Sequence, residues 1–156
     1  MIKKLSAEKE SDMLKLGNKI AGYLFPGAFI ALFGDLGAGK TVLTKGMGEK
    51  LGIDNITSPT FTVVNHHEGG KIVLDHIDAY RLEDDDELYA IGFTDYLSSG
   101  SVIVMEWCEN VPDALPEERL EIHITGSGQE KRTLEMISYG EKYDEILDKI
   151  SNGDLT

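Results

Sequence analysis

The chain has 156 residues, a net charge of −13 at pH 7 and one cysteine, Cys108. This length predicts a single domain over residues 1–156, and the acidic charge makes the chain a poor candidate for binding nucleic acid on its own. One cysteine excludes an intrachain disulfide and a cysteine-based zinc site. No apolar run approaches the roughly 18 residues that span a bilayer, so we expect no membrane contact. Because a chain without disulfides fits a reducing compartment, we expect a cytoplasmic protein.

The first predicted element is a helix over residues 6–25, with Ser6 as its N-cap. Apolar residues recur at helical spacing within it, and Pro26 with Gly27 ends it. The apolar run over residues 28–33 is typical of a short buried strand.

Residues 34–41 match G-x-x-x-x-G-K-[ST], the pattern of a phosphate-binding loop. Its glycines let backbone N–H groups approach phosphate oxygens, and the positive end of the following helix points at the same anion. In this pattern Lys40 lies across the terminal phosphates and the Thr41 hydroxyl ligates Mg²⁺. The predicted nucleotide contacts form one continuous stretch: Asp35, Leu36, Gly37, Ala38, Gly39, Lys40, Thr41 and Val42.

A helix with one buried stripe follows the loop and ends at Gly52. Pro59 then fixes a turn beside Thr60. In a nucleotide enzyme, a threonine after the first helix can sense the γ-phosphate and Mg²⁺ as part of a switch. The alternative is a strand that begins at the proline and carries surface threonines.

Residues 62–65 and 71–77 are two β-rich runs joined by a glycine-containing turn, and they predict a β-hairpin. We expect His66 and His67 to be surface residues near its turn. Asp78 ends the second strand, where open α/β sheets carry catalytic carboxylates. A turn-forming or helix-capping role is the equal alternative for this residue.

Residues 102–105 are apolar and are followed directly by an acid, Glu106. In phosphate-loop enzymes such a strand lies beside the loop strand and its carboxylate reaches Mg²⁺. A core strand that merely exits at a glutamate is the alternative. Trp107 would lie at the rim of the site, where it is either a contact or a plain packing residue.

The acidic block 83–87 is either a solvated helix start or loop, or a docking patch for a basic partner.

A short helix is predicted before Gly92, and a second hairpin is predicted from residues 119–124 and 133–139. An amphipathic helix with apolar positions from residue 143 to residue 150 closes the chain.

The guanine-reading pattern Asn-Lys-x-Asp is absent from the sequence, which argues against a GTPase. Only three arginines are present (Arg81, Arg119 and Arg132), whereas a small-molecule kinase usually needs several to neutralise two phosphorylated substrates. A minimal ATPase is therefore favoured. A small kinase, or an assembly factor that binds ATP without hydrolysing it, remains the alternative.

Four stretches occur together in an order and spacing that resembles the TsaE family (formerly YjeE), the bacterial ATPases of tRNA threonylcarbamoyladenosine synthesis. They are residues 34–41, 58–62, 76–82 and 104–107. The resemblance runs from about residue 12 to residue 138. It implies a P-loop NTPase-like three-layer α/β sandwich with a mixed sheet, to which the hairpins add antiparallel strands.

The resemblance also implies a function. It is that of a Mg²⁺-dependent ATPase that works with TsaD and TsaB in the N6-threonylcarbamoylation of adenosine 37 of tRNAs reading ANN codons. The sequence offers no obvious arginine finger, which predicts slow turnover of the chain when it is alone. Contact with tRNA would be made through those partners.

Carried over by position, the resemblance assigns Lys40 to the terminal phosphates and both Thr41 and Glu106 to Mg²⁺. It places Thr60 in the switch loop and Asp78 in catalysis near the metal. It adds two further nucleotide contacts, Trp107 and Arg132.

Overall fold

A computed structural model describes residues 1–35, 37–59, 63–69, 72–126, 128–129 and 131–150. The elements in these ranges are β1 (Ile2–Ala7), α1 (Glu10–Ala21), β2 (Phe29–Phe33), α2 (Lys40–Leu51), β3 (Val64–Gly69), β4 (Ile72–Asp78), α3 (Asp85–Ala90), α4 (Phe93–Ser98), β5 (Val102–Glu106), β6 (Arg119–Thr125), β7 (Arg132–Tyr139) and α5 (Glu141–Asp148). No helix within the described ranges has the length and apolar character needed to cross a membrane.

The strands form one mixed sheet in the order β1-β7-β6-β2-β5-β4-β3. Strand β2 pairs in parallel with β5 and β6, and β4 pairs in parallel with β5. Both predicted hairpins are confirmed, because β3 pairs antiparallel with β4 and β7 pairs antiparallel with β6. The parallel pairing brings the carboxyl ends of β2, β4 and β5 to one edge of the sheet.

Alternation along the central strands divides the core into two layers. Ile30 and Leu32 of β2 pack with the buried residues of α1, α2 and α5. Phe29 and Ala31 point to the opposite face and pack in a second cluster with residues of α3 and α4, such as Phe93. The predicted α/β class with helices on both faces of a mixed sheet is thus confirmed.

The prediction of a helix over residues 6–25 is wrong at both ends, because α1 spans only Glu10–Ala21. Ser6 is not a helix cap but part of β1, where it lies opposite Thr133 of β7. The helix begins at Glu10, and its first turn is closed by Asp12, whose carboxylate accepts hydrogen bonds from the N–H groups of Glu8 (2.9 Å) and Lys9 (3.2 Å). Pairing with a strand more than 120 residues away in the sequence overrides the local helical pattern.

The first hairpin also differs from its prediction, because β3 runs on to Gly69. His66 and His67 therefore lie within the strand, opposite Asp75 and Leu74, and not beside the turn. His66 is exposed as predicted. His67 is half-buried, with its Nε2 atom shielded and without a hydrogen-bond partner in the described part of the chain.

The acidic block 83–87 forms the start of α3. Asp84 caps this helix by accepting a hydrogen bond from the Glu87 N–H group at 3.0 Å. Carboxylates in the first turn of a helix interact favourably with its positive end. The predicted role as a helix start is confirmed, and the docking role stays a prediction.

A buried carboxylate joins β3, β4 and the residue before β5. Asp75 is 1% exposed. One of its oxygens lies 2.5 Å from His66 Nδ1, and the other accepts a hydrogen bond from the Ser101 hydroxyl at 2.6 Å. The hydrogen bond to Asp75 raises the pKa of His66 above its usual value of 6.5.

The contact between His66 and Asp75 predicts that the stability of the fold depends on pH. We expect the free energy of unfolding to fall as pH rises from about 6.5 through the higher pKa of folded His66, because the folded state holds a proton that the unfolded state releases. Burial lowers the pKa of His67, so its contribution lies below that window. Urea unfolding across this range should show the fall in the wild type and a smaller slope in His66→Gln; equal slopes would contradict the assignment.

Candidate functional site

A cavity of about 560 Å³ opens at the edge of the sheet where β2, β4 and β5 end. Its walls come from the start of α1, the glycine loop with the start of α2, the ends of β4 and β5, and the turn between β6 and β7. The lining residues are Glu8, Lys9, Glu10, Met13, Gly37, Ala38, Gly39, Lys40, Thr41, Val42, Ser58, Asp78, Tyr80, Glu106, Trp107, Gly128, Gln129 and Arg132.

The glycine loop connects β2 to α2 as predicted. Gly39 is the N-cap of α2 and has a left-handed backbone with φ of 103°, which favours glycine over other residues. A side chain at Gly34 would come within 2.9 Å of the Ile124 carbonyl oxygen. Glycine at these two positions therefore lets the loop fold tightly against β6 and aim the first N–H groups of α2 into the cavity.

Lys40 places its side chain inside the cavity wall and is only 5% exposed. Its ammonium group donates a hydrogen bond to the Gly34 carbonyl and lies 3.6 Å from the centroid of the Trp107 ring. Desolvation by burial lowers the pKa of Lys40 from its usual value of 10.5, and the nearby carboxylates, Glu106 foremost, oppose this shift. A partly desolvated cation of this kind is favourably placed to bind an anion.

Two oxygen-bearing side chains that line the cavity, those of Thr41 and Glu106, lie close to each other. Glu106 is 3% exposed at the end of β5. Its Oε2 atom lies 3.4 Å from the Thr41 hydroxyl and 2.5 Å from His76 Nε2. Carboxylate and hydroxyl oxygens are the donors that Mg²⁺ prefers.

Asp78 lies beside this pair, because β4 and β5 place it directly opposite Glu106. It is 3% exposed, and one of its carboxylate oxygens accepts a hydrogen bond from the Tyr80 N–H group at 2.9 Å. In the described residues no group of three or more His, Cys, Asp or Glu side chains is arranged to hold a metal ion. A cation here would take few ligands from the protein and the rest from a bound phosphate or water.

Trp107 closes one side of the cavity immediately after β5. Its backbone is left-handed with φ of 59°, an uncommon conformation for a residue with a side chain. The ring lies over Lys40 and packs against Tyr80, with 5.0 Å between the two ring centroids. Trp107 thus lines the cavity, and its predicted contact with a nucleotide stays a prediction.

Arg132 braces the glycine loop from β7. Its guanidinium donates to the carbonyl oxygens of Ala38 (3.0 Å), Gly37 (3.1 Å) and Gly128 (3.0 Å). These bonds tie the loop to the turn between β6 and β7. The side chain also lines the cavity, where its predicted contact with a nucleotide stays a prediction.

The structure brings Lys40, Thr41, Asp78 and Glu106 together around one cavity. The hydrogen bond from the Tyr80 N–H group shows the turn-forming role of Asp78, and its catalytic role stays a prediction. Asp35 is exposed and is not part of the lining. The predicted contacts at Leu36 and the predicted switch residue Thr60 lie outside the described residues.

Sequence reasoning missed two contributions to this region. His76 is fully buried against Glu106. The segment that leads into α1 and the first turn of that helix supply Glu8, Lys9, Glu10 and Met13 to the cavity. The spacing of two residues between His76 and Asp78 on one strand was a usable signal, because it places both side chains on the same face. The start of α1 gave no such signal, since the helix was predicted to begin at Ser6.

Comparisons with known proteins agree on one family. The model of the family described as "Threonylcarbamoyl adenosine biosynthesis protein TsaE" matches residues 7–134. The chain is 38% identical over 135 residues to the "tRNA threonylcarbamoyladenosine biosynthesis protein TsaE" of Bacillus subtilis, covering 86% of this chain and 84% of that protein. The protein of the same name from Haemophilus influenzae is 36% identical over 150 residues, covering 92% and 94%.

A solved structure is similar over nearly its whole length. The crystal structure of YdiB from Bacillus subtilis superposes with a TM-score of 0.82 and 31% sequence identity, covering 99% of this chain and 98% of that one. The likeness therefore extends to the complete arrangement of strands and helices around the cavity.

Proposed function

Because this chain belongs to the TsaE family of tRNA threonylcarbamoyladenosine biosynthesis, we propose that it binds and hydrolyses ATP in the N6-threonylcarbamoylation of adenosine 37 of tRNAs reading ANN codons. In this proposal the chain is cytoplasmic, acts on the TsaD–TsaB complex and does not perform the transfer itself. The observation that carries the ATPase role is the convergence of Lys40, Thr41 and Glu106 in the lining of one glycine-lined cavity.

The glycine loop and Lys40 provide the phosphate site. Backbone N–H groups at the start of α2 and the positive end of this helix attract an anion. The buried Lys40 ammonium adds a full charge that water screens poorly. Bound phosphate would replace the Gly34 carbonyl and the Trp107 ring as the partner of this ammonium.

The oxygen donors of Thr41 and Glu106 in the cavity wall fit Mg²⁺ brought in with ATP. Thr41 and Glu106 would hold it with one hydroxyl and one carboxylate, and phosphate oxygens would supply further ligands. When bound, the cation would neutralise charge that develops on the transferred phosphoryl group. Asp78 faces the same space and is the residue we assign to orienting the attacking water.

Two of the three arginines support a slow reaction in the isolated chain. Arg119 is paired with Glu121 at 2.6 Å, and Arg132 donates to carbonyls of the glycine loop. An arginine that reaches the γ-phosphate in the transition state accelerates hydrolysis by several orders of magnitude. We therefore assign completion of the site to TsaD–TsaB.

The acidic charge of the chain supports a division of labour with these partners. A net charge of −13 repels the phosphate backbone of tRNA. In this proposal TsaD and TsaB hold the tRNA, and ATP binding and hydrolysis by this chain reset their complex.

The test is the rate of ATP hydrolysis by the purified chain, alone and with TsaD plus TsaB. We expect slow hydrolysis alone and a rate at least about tenfold higher with both partners, because they complete transition-state stabilisation. An unchanged rate would contradict partner-dependent hydrolysis. Consumption of ATP only with an added acceptor metabolite would instead identify a kinase, and tRNA modification supported by a variant that binds but does not hydrolyse ATP would identify an assembly factor.

A further inference from the structure

We propose that His76 is a positioning residue that fixes the carboxylate of Glu106 for cation binding. This inference rests on the proposed function, since it concerns the same nucleotide and metal site. It adds a residue that neither the phosphate-loop pattern nor the strand-end acid identified.

Strand register places His76 beside Glu106. Strands β4 and β5 run in parallel, with His76 opposite Val104 and Asp78 opposite Glu106. Side chains two residues apart on a strand share a face, so the imidazole lies on the same side of the sheet as Glu106 and one step deeper in the core. The ring is 0% exposed, and its Nε2 atom lies 2.5 Å from Glu106 Oε2.

The chemistry of this contact sets the direction of the hydrogen bond. An ionised carboxylate only accepts hydrogen bonds, so His76 Nε2 carries the hydrogen and donates it. The other ring nitrogen, Nδ1, is buried and has no partner within the described ranges. The neutral ring with its hydrogen on Nε2 fits both facts, because it leaves no N–H group buried and unpaired.

The consequence for Glu106 is a fixed orientation. The oxygen that accepts from His76 is the same one that lies 3.4 Å from the Thr41 hydroxyl. A glutamate held in this way keeps its carboxylate beside the Thr41 hydroxyl in the cavity before any cation arrives. Loss of such an orienting partner typically weakens metal affinity about 10- to 100-fold.

Two variants separate orientation from simple packing. His76→Leu keeps a similar apolar volume and removes the donor, whereas His76→Gln keeps an N–H group within reach of Glu106. The probe is Mn²⁺, whose binding in the presence of saturating ADP is read by electron paramagnetic resonance. His67→Leu is the matched control, since His67 is a partly buried histidine on the adjacent strand.

We expect His76→Leu to weaken Mn²⁺ affinity by about 10- to 100-fold, and His76→Gln to restore it to within about threefold of the wild type. His67→Leu should leave Mn²⁺ affinity unchanged. The affinity for ADP without metal should stay within about twofold in all three variants, because Lys40 and the glycine loop are intact. A structural defect would instead lower metal-free ADP affinity along with Mn²⁺ affinity.

Wild-type affinity for Mn²⁺ in His76→Leu overturns the proposal, and so does an equal loss in His76→Leu and His76→Gln. If His76→Leu does not fold, nitrogen-15 NMR of the wild-type chain decides the matter: a hydrogen on Nε2 supports the proposal, and a hydrogen on Nδ1 overturns it. Failure of the proposed function is distinguishable, because the wild-type chain itself would then bind no ADP with Mn²⁺.

Discussion

Replacing Lys40 by alanine is expected to lower ATP hydrolysis in the presence of TsaD and TsaB by at least about 100-fold, the loss that follows removal of one group stabilising transition-state charge in other enzymes. Lys40 is the buried cation of the cavity, and its ammonium is held between the Gly34 carbonyl and the Trp107 ring. A partly desolvated charge stabilises phosphate oxygens more strongly than an exposed one. The measurement is steady-state release of phosphate at saturating ATP.

Lys45→Ala is the matched control for this variant, because Lys45 is an exposed lysine on the same helix, α2. It should hydrolyse ATP at the wild-type rate. Equilibrium dialysis with ATP separates a loss of binding from a loss of chemistry, and the thermal midpoint checks that both variants fold. Hydrolysis by Lys40→Ala at the wild-type rate would remove the basis for the proposed nucleotide site.

Local patterns predicted the centre of the fold well. The alternation of Phe29, Ile30 and Ala31 between two cores is a short-range property, and the glycines after β2 demand the tight loop that follows. The N-terminal strand could not be predicted in the same way. Ser6 has the chemistry of a helix cap, and only its long-range pairing with β7 makes it part of a strand.

The candidate site was predictable where one stretch of chain carries the chemistry. Lys40 and Thr41 follow from the loop pattern, and Glu106 follows from its place at the end of a buried strand. The spacing of two residues between His76 and Asp78 indicates a shared face, but the partner of His76 was not predictable, because only the strand register sets its ring against Glu106. The functional roles of these residues stay predictions.

A second large effect is expected where α1 crosses α2. Gly17→Ala should lower the free energy of unfolding by about 3 kcal/mol, as overpacking against rigid backbone does. A β-carbon at Gly17 would lie 2.4 Å from the Leu43 carbonyl oxygen and 2.8 Å from the Met47 nitrogen. The helices would have to separate, although alanine by itself favours a helix by about 1 kcal/mol over glycine.

The neighbouring hydrogen bond would be lost in the same movement. The Asn18 side chain donates across the crossing to the Gly46 carbonyl at 2.9 Å, and Gly46 is itself so close to α1 that a β-carbon there would lie 2.4 Å from the Leu14 carbonyl oxygen. Both helices begin at the cavity. Met13 of α1 and the first residues of α2, Lys40 and Thr41, line it. Separation of the helices should therefore weaken nucleotide affinity as well as stability.

Gly22→Ala provides the matched control, because Gly22 ends the same helix with φ of −63° and its added β-carbon would meet no atom closer than 3.4 Å. Thermal unfolding should show a midpoint roughly 6–12 °C lower in Gly17→Ala and near the wild-type value in Gly22→Ala. A Gly17→Ala chain as stable as the wild type would mean that the backbones of α1 and α2 are not in contact. The start of α1 would then not be held against the glycine loop by this helix crossing.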